Sequence, residues 1–169
     1  MEVIQVNRRK NRVRRLHALR VGGSSFGCLA GIGLIALLSA LSGLTFLIPS
    51  FGASSVILFA IPASAYAQPR SLIGGHLISS MIGLICYSSL GIEWWSLSLA
   101  VGVAVAAMQL SRTLHPPAAA DPLFFMMQNA ALSWQAVLVP VIAGSLILVS
   151  FAFIYNNWIA KRPYPQYWI

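Results

Sequence analysis

Charge is scarce in this chain, and acidic charge is almost missing. Only 8% of the 169 residues are charged, and Asp and Glu together number three. A water-soluble domain needs about 25% charged residues to face its solvent. This composition therefore excludes an ordinary soluble fold, and with 58% hydrophobic residues most of the surface must face lipid. Three acids, three histidines and two cysteines are also too few, and too scattered, for a metal cage or a nucleophile–base pair at recognisable spacing. Neither a Gly-rich phosphate loop nor a dinucleotide fingerprint is present. An enzyme is not expected, and no cofactor or metal is implied. Cys28 and Cys86 both lie within apolar runs and read as small buried hydrophobes, without a disulfide framework.

What charge there is has a strong bias. Of the eleven basic residues, seven fall within the first 20 positions: Arg8, Arg9, Lys10, Arg12, Arg14, Arg15 and Arg20. A basic cluster ahead of a hydrophobic span reads as a cytoplasmic anchor under the positive-inside rule, in contact with anionic lipid headgroups. No folded nucleic-acid-binding module accompanies it, so nucleic acid is not an expected partner. The apolar run from Phe26 to Pro49 exceeds the roughly 7–15 residues of a signal-peptide core, which makes it a retained span.

Helices that cross the hydrocarbon layer need about 20 mostly apolar residues. Four segments qualify: Phe26–Ile48, Ser71–Leu90, Trp94–Ser111 and Ser133–Tyr155. They are rich in Gly, Ala and Ser, which allow close helix packing. Trp94, Trp95, Trp134, Tyr155 and Trp158 flank them as interfacial anchors. Between them lie two proline-broken apolar stretches, running from Pro49 to Pro62 and from His115 to Met127. Each opens on proline and continues as a short helix, for which Ser54 in the first and Asp121 (followed by Pro122) in the second are the expected N-caps.

The expected fold is therefore an all-α polytopic membrane protein with four long transmembrane helices and two short, broken, membrane-embedded ones. A slide of about 67 residues superposes Pro49 on Pro116 and Ser54 on Asp121. The order long helix, break, short helix, long helix then recurs, as in the internal repeats of transporters. The expected division is a basic arm over 1–21, a membrane domain over 22–157 and a tail over 158–169, with repeats near 26–92 and 93–159. If both short helices cross, Arg70, Arg112 and Lys161–Arg162 share the side of the basic arm and the repeats are inverted; if they re-enter, the repeats are parallel. Both arrangements leave the two termini cytoplasmic.

Ionisable residues inside a membrane are costly and mark function. Glu93 reads as a solvated turn residue. His76, just after Gly74-Gly75, is either a helix-packing hydrogen-bonder or a pathway residue. Arg112, His115 and Asp121 surround the second break, where Pro116 and Pro117 cannot donate backbone hydrogen bonds. Freed backbone at that depth must be buried in protein or line a polar cavity, and a helix N-terminus would direct partial positive charge into such a cavity. Arg112 and His115 would join it in holding a small anion; an Arg112–Asp121 ion pair bracing the bend is the structural alternative. At the first break Gly52 permits close backbone approach while Ser54 and Ser55 supply donors. Arg70 is either a cavity residue or an interfacial anchor.

These residues carry a resemblance. Pro49-Ser50-Phe51-Gly52-Ala53-Ser54, Ala67-Gln68-Pro69-Arg70, Gly74-Gly75-His76 and the run from Arg112 through His115-Pro116-Pro117 to Leu123 resemble the motifs of the HPP family of integral membrane proteins. The similarity spans roughly Gly22 to Tyr155. It implies a four-helix membrane domain and, as in plastid and cyanobacterial members, nitrite transport. Ala119 departs from the glycine common at that position. The arm is short and poor in serine, so a bacterial inner membrane of cyanobacterial type is the expected location. Transport of a small inorganic anion, with nitrite foremost, is the leading expectation. A non-transporting scaffold or partner subunit is the alternative, and a homo-oligomer, dimer or trimer, is expected from the small enclosed volume.

Overall fold

The computed structural model describes residues 2–128 and 133–168, with side chains described from Val13 onward. Arg8, Arg9, Lys10 and Arg12 of the basic arm lie outside those side chains. Among the described residues six α-helices follow in order: α1 (Glu2–Ser42), α2 (Ser50–Ala60), α3 (Pro69–Leu90), α4 (Trp94–Leu110), α5 (Asp121–Met127) and α6 (Trp134–Ile154). No strand occurs among the described residues.

Helix ends explain where these boundaries fall. α1 is one continuous helix of 41 residues, so the expected arm boundary at 21/22 falls inside it. It stops at Ser42 rather than at Ile48, because Gly43 takes a positive φ of 70° and its N–H bonds Ser39 O at 3.1 Å. Gly91 ends α3, also with a positive φ, at 68°. Pro69 opens α3 at its first turn, where a missing N–H is harmless. Glu93 is exposed and forms a capping box with Ser96 at the start of α4.

The expected caps of the short helices are corrected. α2 begins at Ser50, and Ser54 stands one turn inside it. At the second break a 3-10 turn over Pro116–Ala120 precedes α5, so Asp121 is the first helical residue and Ala120 the cap position. Neither cap position makes a side-chain capping bond, which leaves Ser54 and Asp121 free to face inward.

Among the described residues, three helical stretches are long and apolar enough to cross a bilayer: Val13–Ser42, Pro69–Leu90 and Trp134–Ile159. α4 is apolar but has 17 residues, which span about 25 Å against a hydrocarbon layer of about 30 Å. α3 lies at the centre and packs against α4, α5 and α6, while α1 covers α2. Phe51, Leu58 and Phe59 of α2 are buried with Leu72 of α3 and Val141 and Leu148 of α6. Beyond α6 a π-helical turn over Tyr155–Ile159 leads to a tail that folds back: the buried Tyr164 donates its hydroxyl to Ala67 O at 2.9 Å.

Candidate functional site

The two broken stretches meet against α3, and α3 is shaped to receive them. His76, Ser79, Ser80 and Gly83 follow one another at helical spacing and so share one face. A Cβ on Gly83 would come within 2.6 Å of Pro122 Cα, and one on Gly75 within 2.7 Å of His115 Cβ. Glycine at both positions lets the second break lie directly on the helix. Ser79 then donates to Ala118 O at 2.6 Å, which takes up a carbonyl in the turn that two prolines leave short of donors.

At this junction lies a buried polar cluster. Ser54, His76, Ser80, His115 and Asp121 have 0% exposure, and Ser50 is nearly as enclosed. His76 Nδ1 is 2.7 Å from Asp121 Oδ2, which also accepts from Ser80 at 3.1 Å; Ser50 donates to Oδ1 at 2.5 Å. On the other side His76 Nε2 is 2.9 Å from Ser54 Oγ, and His115 Nε2 is 2.8 Å from the same oxygen. His115 Nδ1 donates to Tyr66 O at 2.7 Å. The chain of contacts thus runs Asp121, His76, Ser54, His115, Tyr66, with the edge of Phe51 closing one side of His76 at 4.9 Å between rings. Five polar side chains without water would be costly unless each found a partner, and here each does.

The expected site residues divide into two groups. Ser54, His76, His115 and Asp121 come together, with Pro117 buried beside them. Ser55 is buried but bonds back to Gly52 O on its own helix at 2.7 Å. Gly52 and Pro116 are exposed, and a Cβ on Gly52 would meet nothing within 4 Å, so that glycine serves no close approach. Arg112 is exposed and does not pair with Asp121, whose carboxylate is taken up by His76, Ser50 and Ser80. Instead Arg112 sits at φ 57°, where its N–H bonds Gln109 O at 3.1 Å and that of Thr113 bonds Met108 O at 2.8 Å. This is a Schellman ending of α4, and it turns the chain so that His115 points in while Arg112 points out. Arg70, also exposed, donates to Ser111 O at 3.0 Å.

Sequence reasoning missed Ser50, Ser80 and the Tyr66 carbonyl. The signal for Ser80 was its place four residues after His76, and for Ser50 its place four before Ser54. A separate pocket of about 560 Å³ opens beyond the C-terminal end of α2, lined by His17, Arg20, Ser24, Pro62, Ser64 and Arg162 among others. Its wall over 61–64 belongs to the segment that supplies Tyr66 to His115.

A helical chain with spans long enough to cross a bilayer and a buried cluster of ionisable residues among them is a polytopic integral membrane protein. Its family follows from the match of residues 13–165 to the HPP transmembrane region: the chain belongs to the HPP family. Two curated relatives are transmembrane proteins of Dictyostelium discoideum. One is 38% identical over 130 residues, covering 72% of this chain and 45% of the relative. The other is 36% identical over 160 residues, covering 88% and 51%. The chain spans about half the length of these relatives. No solved structure matches it.

Proposed function

We propose that the chain transports a small inorganic anion across the membrane, with nitrite the leading substrate. One observation carries this reading: fully buried His76, His115 and Asp121 meet where two helix breaks converge among apolar helices. Ionisable groups at such depth mark solute or proton pathways, and broken helices at a repeat interface are where transporters place them. The pocket lined by Arg20, Arg162 and His17 gives an anion an electropositive mouth beside the segment that holds His115. Asp121, which accepts from Ser50, occupies the place where the N-termini of α2 and α5 meet, and its carboxylate argues against an anion held on the helix ends themselves.

The membrane arrangement belongs to this reading. It takes α4 as the fourth crossing and the repeats as inverted, and a reciprocal contact supports the two-fold relation between the halves. α3, the last helix of the first half, brings Gly75 and Gly83 against the second break. α6, the last helix of the second half, brings Gly144 against the first break, where a Cβ would collide with Phe46 O and the Phe51 ring. Both termini lie in the cytoplasm, and the membrane is a bacterial plasma membrane. A homo-oligomer covers the outer face of α1, where Leu29, Leu37 and Leu41 are exposed.

Uptake of nitrite into proteoliposomes made with the purified chain tests the function. Uptake should be competed by other small monovalent anions and lost in His115→Ala. A well-folded wild-type chain that moves no small anion would leave the scaffold reading in place instead.

A further inference from the structure

The hydrogen-bond partners of the two histidines leave the cluster one proton short. His115 Nδ1 faces Tyr66 O at 2.7 Å, and a carbonyl only accepts, so this nitrogen carries hydrogen. In a neutral ring its Nε2 is then a bare acceptor. His76 Nδ1 faces the Asp121 carboxylate at 2.7 Å; with that carboxylate ionised, Nδ1 carries hydrogen here too and Nε2 is again bare. Both Nε2 atoms converge on Ser54 Oγ, at 2.9 and 2.8 Å. A hydroxyl has one hydrogen and can satisfy only one of them, and Ser50 O at 3.1 Å competes for it. With two neutral rings and an ionised Asp121, a nitrogen lone pair would face an oxygen lone pair where no water reaches.

One added proton removes the conflict. It can sit on His76, as an imidazolium against the carboxylate, or on Asp121, which then donates to His76 Nδ1 and leaves hydrogen on Nε2. Either way His76 donates to Ser54 and Ser54 donates to His115. We propose that the buried Asp121–His76–Ser54–His115 chain is a binding site for one exchangeable proton, and that this proton is carried across with the anion. The coupling rests on the transport reading above; the proton site does not. The proton moves by a balanced exchange. The His76 Nε2–H bond breaks as its hydrogen joins Ser54 Oγ, while the former hydroxyl hydrogen joins His115 Nε2. The hydroxyl is regenerated and the positive charge has passed between rings 5.0 Å apart.

Few other groups bear on this charge. α2 presents Ser50 and Ser54 and no ionisable side chain. α3 presents His76, Ser79 and Ser80; its Arg70 is exposed, and Cys86 and Tyr87 lie more than two turns further along. α5 presents Asp121, and neither α4 nor α6 contains Asp, Glu, Lys, Arg or His. Arg112 is exposed on the connecting segment, and the Tyr164 hydroxyl bonds Ala67 O instead. In the described part of α1, Arg14, Arg15, His17 and Arg20 lie in its exposed N-terminal part, and Cys28 is the remaining titratable group.

Two measurements test the proposal. In nanodiscs, the full chain labelled with 15N-histidine, with His17→Gln to leave two rings, should show a protonated Nε2 at pH 7. That hydrogen should be lost as pH rises, and the ring states should stop responding in Asp121→Asn. Bare Nε2 atoms on both rings at pH 7 would overturn the proton site without recourse to any disruptive variant. In proteoliposomes containing a pH dye, nitrite should enter with one proton and be driven by an acid exterior. Ser54→Ala should lower that driven uptake by about tenfold or more, the equivalent of one hydrogen bond, and Ser54→Thr, which keeps the hydroxyl, should restore it. Nitrite uptake without proton movement would refute the coupling. A protonated Nε2 in a chain that moves no small monovalent anion would refute the transport reading and leave the proton site standing.

Discussion

Arg112 and Asp121 show how far single residues could be read. Both were singled out as charges around one helix break, and both matter, but in opposite directions. Asp121 turns inward to three donors, while Arg112 takes the left-handed position of a Schellman ending and faces out. Spacing along a helix predicts a shared face only while the helix lasts, and α4 ends at Leu110. Arg112→Gly should therefore fold as well as the parent, relieving about 1 kcal/mol of backbone strain, and leave the proposed uptake unchanged; thermal denaturation with nitrite uptake checks both. Asp121→Ala leaves His76, Ser50 and Ser80 facing a lost partner, and breaking such a buried pair costs about 3–5 kcal/mol. That variant should lose both thermal stability and transport, whereas Asp121→Asn, which keeps shape and hydrogen bonding, should lose transport with much less destabilisation.

At the scale of elements, the order of long and short helices was legible because prolines and apolar runs punctuate it. Pro49, Pro69 and Pro116 each stand at the start of the element they announce. The extent of α1 was less legible: its N-terminal part is polar, so hydropathy could not reveal that the helix continues through it, although Gly43 marked its end. Nor could hydropathy show which face of α3 meets the breaks. The signal was the stripe His76, Ser79, Ser80 and Gly83, which reads as small-residue packing until the facing segment is known. Because Pro122 backbone lies against Gly83, Gly83→Ala should force the second break away and cost about 1–3 kcal/mol. A fall in melting temperature together with weakened nitrite uptake is the expected outcome, since the same displacement moves Asp121 off His76.

For the whole molecule, sequence scarcity of charge was enough to place the chain in a membrane, because a mostly apolar surface has few alternatives. The return of the tail was hidden, since Tyr164 and Gln166 bond to residues almost a hundred positions away. Burial pushes the Tyr164 hydroxyl well above its ordinary range. A raised folded value means that its contribution is fully present below the unfolded pKa of about 10 and is lost as pH rises past it. Limited proteolysis should therefore show the tail loosening only in strong alkali, and Tyr164→Phe should remove that alkaline step while weakening attachment by about 1 kcal/mol.

The tail does more than cover a surface. Gln166 N–H bonds Gln68 Oε1 at 2.8 Å, Gln68 Nε2 holds Pro62 O and Ser64 O, and Tyr164 holds Ala67 O. The same short segment presents Tyr66 O to the ring of His115. A line of contacts thus leads from the chain's outer end to an imidazole that no probe in water can touch. Trp168, exposed two residues beyond Gln166, makes that line readable: a spin label there should change its spectrum when the ring of His115 shifts.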